Sequence, residues 1–146
     1  MPTLILPITN DGSIAEALVG PSHQRTMALL ALKQPVPPPV RVRLLVDTGA
    51  TSTSISQGLL VSLNLVTTGT VQLHTASSAG IPVDCEQYDV SIVFPDALPG
   101  GWGFATVPIV ECLPLDGPID GLLGRDLLDR SILTYNPFAN IVTISF

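Results

Sequence analysis

Leu44-Leu45-Val46-Asp47-Thr48-Gly49-Ala50-Thr51-Ser52-Thr53-Ser54-Ile55 is the stretch whose reading decides this chain. Three apolar residues run directly into a carboxylate. Such a run reads as the end of a buried strand, and burying an unpaired charge is costly. Gly49 lets the chain turn sharply and brings backbone N–H groups close to Asp47. Thr48 adds a hydroxyl that can brace the turn. Shuffling this composition yields Asp-Thr-Gly only about 0.07 times per chain, so the tripeptide alone is modest evidence. The apolar residues before it, and the small polar run closing on Ile55 after it, strengthen the signal. The competing reading is structural, with Asp47 serving as an Asx-turn or cap.

Composition narrows what surrounds that stretch. The chain has 146 residues, 46% of them hydrophobic and only 12% charged. Mean hydropathy is +0.49. A typical soluble domain carries roughly 25% charged residues, so part of the apolar surplus reads as surface that another chain covers. Disorder is excluded, because it needs low hydrophobicity and high charge. The longest apolar run, residues 27–32, falls far short of the ~18–20 residues of a membrane-spanning helix. Six basic residues and a net charge of −6 cannot form the cationic face that nucleic acid requires. The first seven residues lack the basic start of a signal peptide, and Cys85 and Cys112 have no CxxC spacing. Reduced, structural thiols and a cytoplasmic location are the expectation.

Fourteen prolines and twelve glycines favour many short elements. Strands are expected at residues 3–8, 14–19, 26–32, 40–46, 70–75, 81–94, 104–110, 132–135 and 141–146. Residues 1–20 read as an N-terminal hairpin around Asn10-Asp11-Gly12. Residues 26–46 read as a second hairpin with a stiff loop at 35–39. Helices are expected only at residues 56–65 and 125–130. The reading is a single all-β domain over residues 1–146, a barrel or sandwich with one or two short helices.

Other chemistries find little support. There is no Gly-x-Ser-x-Gly elbow, no Walker loop and no Gly-x-Gly-x-x-Gly. His23 and His74 lie far apart without metal-type neighbours, so neither a metal nor a cofactor is expected. Asp47-x-Gly49-Ala50-Thr51 superficially fits the phosphate loop of sugar kinases and actin. Those proteins need two large lobes, which 146 residues cannot build.

The segment around Asp47 resembles the active-site signature of aspartic proteases, and Ala50 after Asp-Thr-Gly resembles the single-domain retroviral type, the retropepsins. A second segment agrees: Ile119-Asp120-Gly121-Leu122-Leu123-Gly124-Arg125-Asp126-Leu127-Leu128 is similar to the family's apolar-apolar-Gly element running into a short helix. The resemblance spans residues 26–146. It implies a retropepsin-like acid-protease barrel, with Leu122, Leu123, Gly124 and Arg125 in a ψ-shaped structure beside the active-site loop. Retroviral members usually carry an Asp where this chain has Thr51. The partner of Arg125 is therefore open, with Asp126, Asp129 or another carboxylate as alternatives.

The resemblance also implies a mechanism. Aspartic proteases use two carboxylates sharing one proton, and this chain has one Asp-Thr-Gly. A C2 homodimer supplies the second. Asp47 is then the catalytic residue, with Thr48 and Gly49 supporting its loop. Residues 73–81 resemble the flap that closes over bound peptide, which makes Ala50, Thr75, Ala76, Ser77, Ser78, Ala79 and Gly80 the substrate-binding set. Residues 140–146 correspond to the strand that interleaves with the partner. The expected activity is peptide-bond hydrolysis on a peptide or protein substrate. The alternative is a catalytically silent dimerisation or peptide-binding module.

Overall fold

Period-two alternation accounts for most of the architecture. In β2 (Ile14–Pro21), β3 (Val40–Val46), β6 (Val83–Phe94) and β7 (Trp102–Cys112), every second residue over much of the strand turns inward. Ala15, Ala17, Val19, Val42, Leu44, Val90, Ile92, Phe94, Val107 and Ile109 are thereby fully buried, as a half-buried sheet requires. The computed structural model describes residues 1–74, 79–112 and 114–146.

Six strands close on themselves. With β4 (Ser54–Ser56) and β8 (Gly121–Leu123), the ring runs β2-β3-β8-β4-β7-β6 and returns to β2. β6 serves two neighbours along one edge. Its second half, Val90 to Val93, pairs with β2, and its first half, Val83 to Gln87, pairs with β5 (Gly69–Leu73). Between β4 and β5, α2 (Gln57–Leu60) and a 3-10 turn at Val61–Leu63 bury Leu60 and Leu63, and the turn stops at Asn64 with φ 48°. α3 (Arg125–Leu128) follows β8.

A separate three-stranded antiparallel sheet joins the chain ends in the order β1 (Thr3–Pro7), β10 (Ile141–Ser145), β9 (Ile132–Asn136). This corrects the expected N-terminal hairpin. Residues 1–20 are not a hairpin: Thr9 and Gly12 exchange backbone hydrogen bonds at 3.2 and 3.0 Å, but β1 leaves for β10 while β2 joins the barrel. Nor do residues 140–146 offer a free strand. β10 is paired on both edges within its own chain. Phe146 is anchored as well, stacked on Phe94 at 5.5 Å and edge-on to Phe104 at 5.7 Å, which fastens the C-terminus to the barrel.

Residues 26–32 are helical rather than extended. α1 (His23–Ala31) is capped by Ser22, whose hydroxyl accepts from the Arg25 N–H at 3.2 Å. Ala, Leu and Met favour a helix, and the cap decides where it starts. The proline loop that follows therefore links α1 to β3, and β3 takes β2 as its antiparallel partner. Only Leu29 of α1 is buried, leaving Met27 and Leu30 exposed.

Candidate active site

The loop 47–53 joins β3 to β4, and β8 passes between those two strands. Leu44, Leu45 and Val46 pair in parallel with Gly121, Leu122 and Leu123. From the other side, Ser54 and Ile55 pair antiparallel with Leu122 and Gly121. Such threading demands close backbone approach. A Cβ on Gly121 would overlap the Ser54 carbonyl oxygen, and one on Gly124 would stand 2.5 Å from the Ser52 carbonyl carbon. Both positions need glycine for want of space. The ψ-shaped crossing is therefore present, with Leu123 buried and Leu122 half-buried.

Asp47 emerges from β3 into this crossing. Its N–H donates to the Leu123 carbonyl at 3.1 Å, and the N–H of Val46 before it donates to the Ser13 carbonyl at 2.9 Å. The Gly49 N–H donates to Asp47 Oδ1 at 2.8 Å, and the Ala50 N–H closes the turn onto the Asp47 carbonyl at 3.2 Å. Asp47 and Ala50 are half-buried, whereas Thr48 and Gly49 are exposed. The carboxylate is thus held by its own loop but left open to solvent. Among the described residues, no hydrogen bond or ion pair joins it to a second carboxylate.

α3 clamps the loop from outside. Its first N–H groups have no partners inside the helix, and they donate to the loop: Arg125 to the Ala50 carbonyl at 2.9 Å, Asp126 to the Thr51 carbonyl at 3.3 Å. The guanidinium of Arg125 reaches the Thr48 carbonyl at 3.5 Å. Asp126 is not its partner. That carboxylate accepts from the Thr53 N–H at 3.0 Å, from the Thr53 hydroxyl at 2.7 Å and from the Leu127 N–H at 2.9 Å. The Thr53 hydroxyl in turn accepts from the Gly124 N–H at 3.1 Å. Asp120 adds a brace, accepting from the Arg43 N–H through Oδ2 at 2.8 Å.

Thr53 and Asp120 are positions that sequence reasoning missed. Nothing sets Thr53 apart from Thr51 and Ser52, because its full burial follows only from the threading of β8. The Asp126–Thr53 lock has a measurable consequence. Asp126→Ala removes a charged acceptor and strands the Thr53 N–H, which costs about 3 kcal/mol. Asp126→Asn, keeping one acceptor oxygen, loses less. Chemical denaturation of the three proteins measures both, and equal stability of Asp126→Ala and wild type would contradict the lock.

The substrate-binding set is placed only in part. Thr75, Ala76, Ser77 and Ser78 lie outside the described residues. β5 and β6 form an antiparallel hairpin whose last pair is Leu73 with Val83. Ala79 and Gly80 sit exposed on its return with φ of 49° and 79°. Two concavities of about 230 and 320 Å³ lie elsewhere, one beside Arg43 and Glu16, the other beside Leu59 and Asp120, and neither includes Asp47.

Comparison with known proteins agrees with this geometry. The family described as aspartyl protease matches residues 39–127, which takes in β3, the Asp47 loop, β8 and most of α3. The crystal structure of a retropepsin-like aspartic protease from Rickettsia conorii shares the fold with a TM-score of 0.60. It is 18% identical, and the match covers 99% of this chain and 90% of that one. No curated protein matches.

Proposed function

The chain belongs to the aspartyl protease family, and on that premise we propose that it hydrolyses peptide bonds as a C2 homodimer in which each protomer supplies Asp47. The observation that carries this reading is the state of Asp47. It is positioned by the Leu123 carbonyl and the Gly49 N–H, partly open to solvent, and, among the described residues, not hydrogen-bonded to a second carboxylate.

A two-fold axis through this loop brings Asp47 against its copy. The ionised carboxylate takes a proton from a water while the protonated one donates to the scissile carbonyl oxygen. The tetrahedral intermediate then collapses as the proton moves to the leaving nitrogen. Thr48, exposed in one chain, bonds across the axis, and the β5–β6 hairpin covers the peptide, excluding water. On this reading the cleft forms between the two protomers.

The pH dependence of turnover tests the shared proton. With both carboxyls protonated no base remains, and with both ionised no acid remains, so kcat against an unstructured protein follows a bell-shaped pH profile. A profile flat from acid to alkaline pH would exclude the paired-carboxylate mechanism.

A further inference from the structure

β6 and β7 are antiparallel, with Gln87 opposite Val110, Tyr88 opposite Ile109 and Asp89 opposite Pro108. The ladder is registered as far as Gln87–Val110; the same offset carried two residues further aligns Cys85 with Cys112, each within the bounds of its strand, and the two thiols are near enough for Cys85 to act electrostatically on Cys112. Residues directly opposite in an antiparallel pair point to the same face with Cα atoms about 4.5 or 5.5 Å apart. Both separations lie inside the roughly 4.4–6.8 Å that a disulfide spans. The two thiols are free and half-buried, and each lies at a junction. Cys85 also pairs with Val71 of β5, the middle of the five pairs that join β5 to β6. Cys112 is registered with Ser56 of β4 and ends β7, shortly before the chain returns to β8.

We propose that Cys85 and Cys112 are a dithiol couple that closes to an intramolecular disulfide, tying the middle of the β5–β6 ladder to the end of β7. With oxidised glutathione as oxidant the step is thiol–disulfide exchange. One cysteine thiolate attacks a glutathione sulfur, forming a mixed disulfide and releasing one glutathione thiolate. The second cysteine thiolate then attacks the protein sulfur of that mixed disulfide and displaces the other glutathione. Two electrons pass to glutathione, each protein thiol loses its proton, and two reduced glutathiones leave. Reduced glutathione in excess reverses the exchange.

Burial pushes both thiols up, with the negative charges of Glu111 and, for Cys85, Asp84 adding to the effect; a hydrogen bond from Ser54 partly offsets it at Cys112. The thiolate is the attacking species, so the couple resists oxidation near neutrality and closes faster as pH rises. The pair is independent of the proteolytic reading and requires no turnover to be detected.

The test is oxidation of the native protein with oxidised glutathione at mildly alkaline pH, read by intact mass and by non-reducing peptide mapping. Closure removes two hydrogen atoms from one chain and links the peptides containing Cys85 and Cys112. Reduction with dithiothreitol restores the original mass. Cys85→Ser and Cys112→Ser, each left with one thiol, stop at a single glutathione adduct. Two glutathiones on one wild-type chain, a link between two chains, or no change of mass would each overturn the couple.

Discussion

Asp47→Asn is expected to abolish peptide hydrolysis, lowering kcat by about 10³-fold or more, while leaving the fold intact. The amide cannot take a proton from water, and losing a positioned acid–base group costs typically 10²–10⁴ in rate. In a symmetric dimer the substitution removes both carboxylates at once, which places the loss at the upper end. The fold survives because the amide oxygen can still accept from the Gly49 N–H that now donates to Oδ1, and the backbone bond to the Leu123 carbonyl is untouched. The check is cleavage of an unstructured protein by wild type and variant at matched dimer concentration, with circular dichroism as the control for folding. Turnover within a few-fold of wild type would remove Asp47 from the chemistry. A wild type that retains peptide without cutting it would establish the binding module instead.

How much of this was legible in the sequence differs between the loop and its supports. The Asp47 loop was legible because its constraints are local: an apolar strand, a carboxylate and a glycine follow each other directly. The β8 segment was legible because Gly121 and Gly124 are spaced for close approach, and the short helix follows at once. The misread elements depend on partners far away in sequence. Residues 26–32 satisfy an apolar strand pattern and a helix pattern equally, and the Ser22 cap separates them only once Pro21 is seen to end β2. The hairpin expected in residues 1–20 failed because β1 is paired by β10, more than a hundred residues on. Asp126 was noticed as one alternative partner for Arg125, but its carboxylate binds Thr53. Thr53 reaches it only after β8 has passed between β3 and β4.

Lysines at Ile132 and Tyr135 are expected to convert the proposed dimer to folded, inactive monomers, weakening association by about 100-fold or more. The three-stranded sheet explains why. No Asp, Glu, Lys or Arg occurs in β1, β9 or β10, although charge is a common guard of sheet edges. Two of its three strands are already covered. β10 is central, and the outer edge of β1 is capped where Thr3 and Leu98 exchange backbone hydrogen bonds at 2.9 Å. This gives the loop at residues 95–101, between β6 and β7, a role. Among the described residues the open edge is β9, with Ile132 60% and Tyr135 63% exposed and Phe138 fully exposed on the turn beyond. β9 also follows α3, which holds the Asp47 loop, and on the proposed dimer reading a second copy docks along β9. A two-fold axis sets each introduced lysine near its own copy, and like charges desolvated at an interface cost several kcal/mol. The side chains are exposed in the monomer, so its stability changes little. Sedimentation across a concentration series reads the association, with Leu98→Lys on the capped edge as control. A dimer that survives Ile132→Lys/Tyr135→Lys but dissociates with Leu98→Lys would move the interface to the β1 side. A wild-type monomer active in dilute solution would remove the need for a partner altogether.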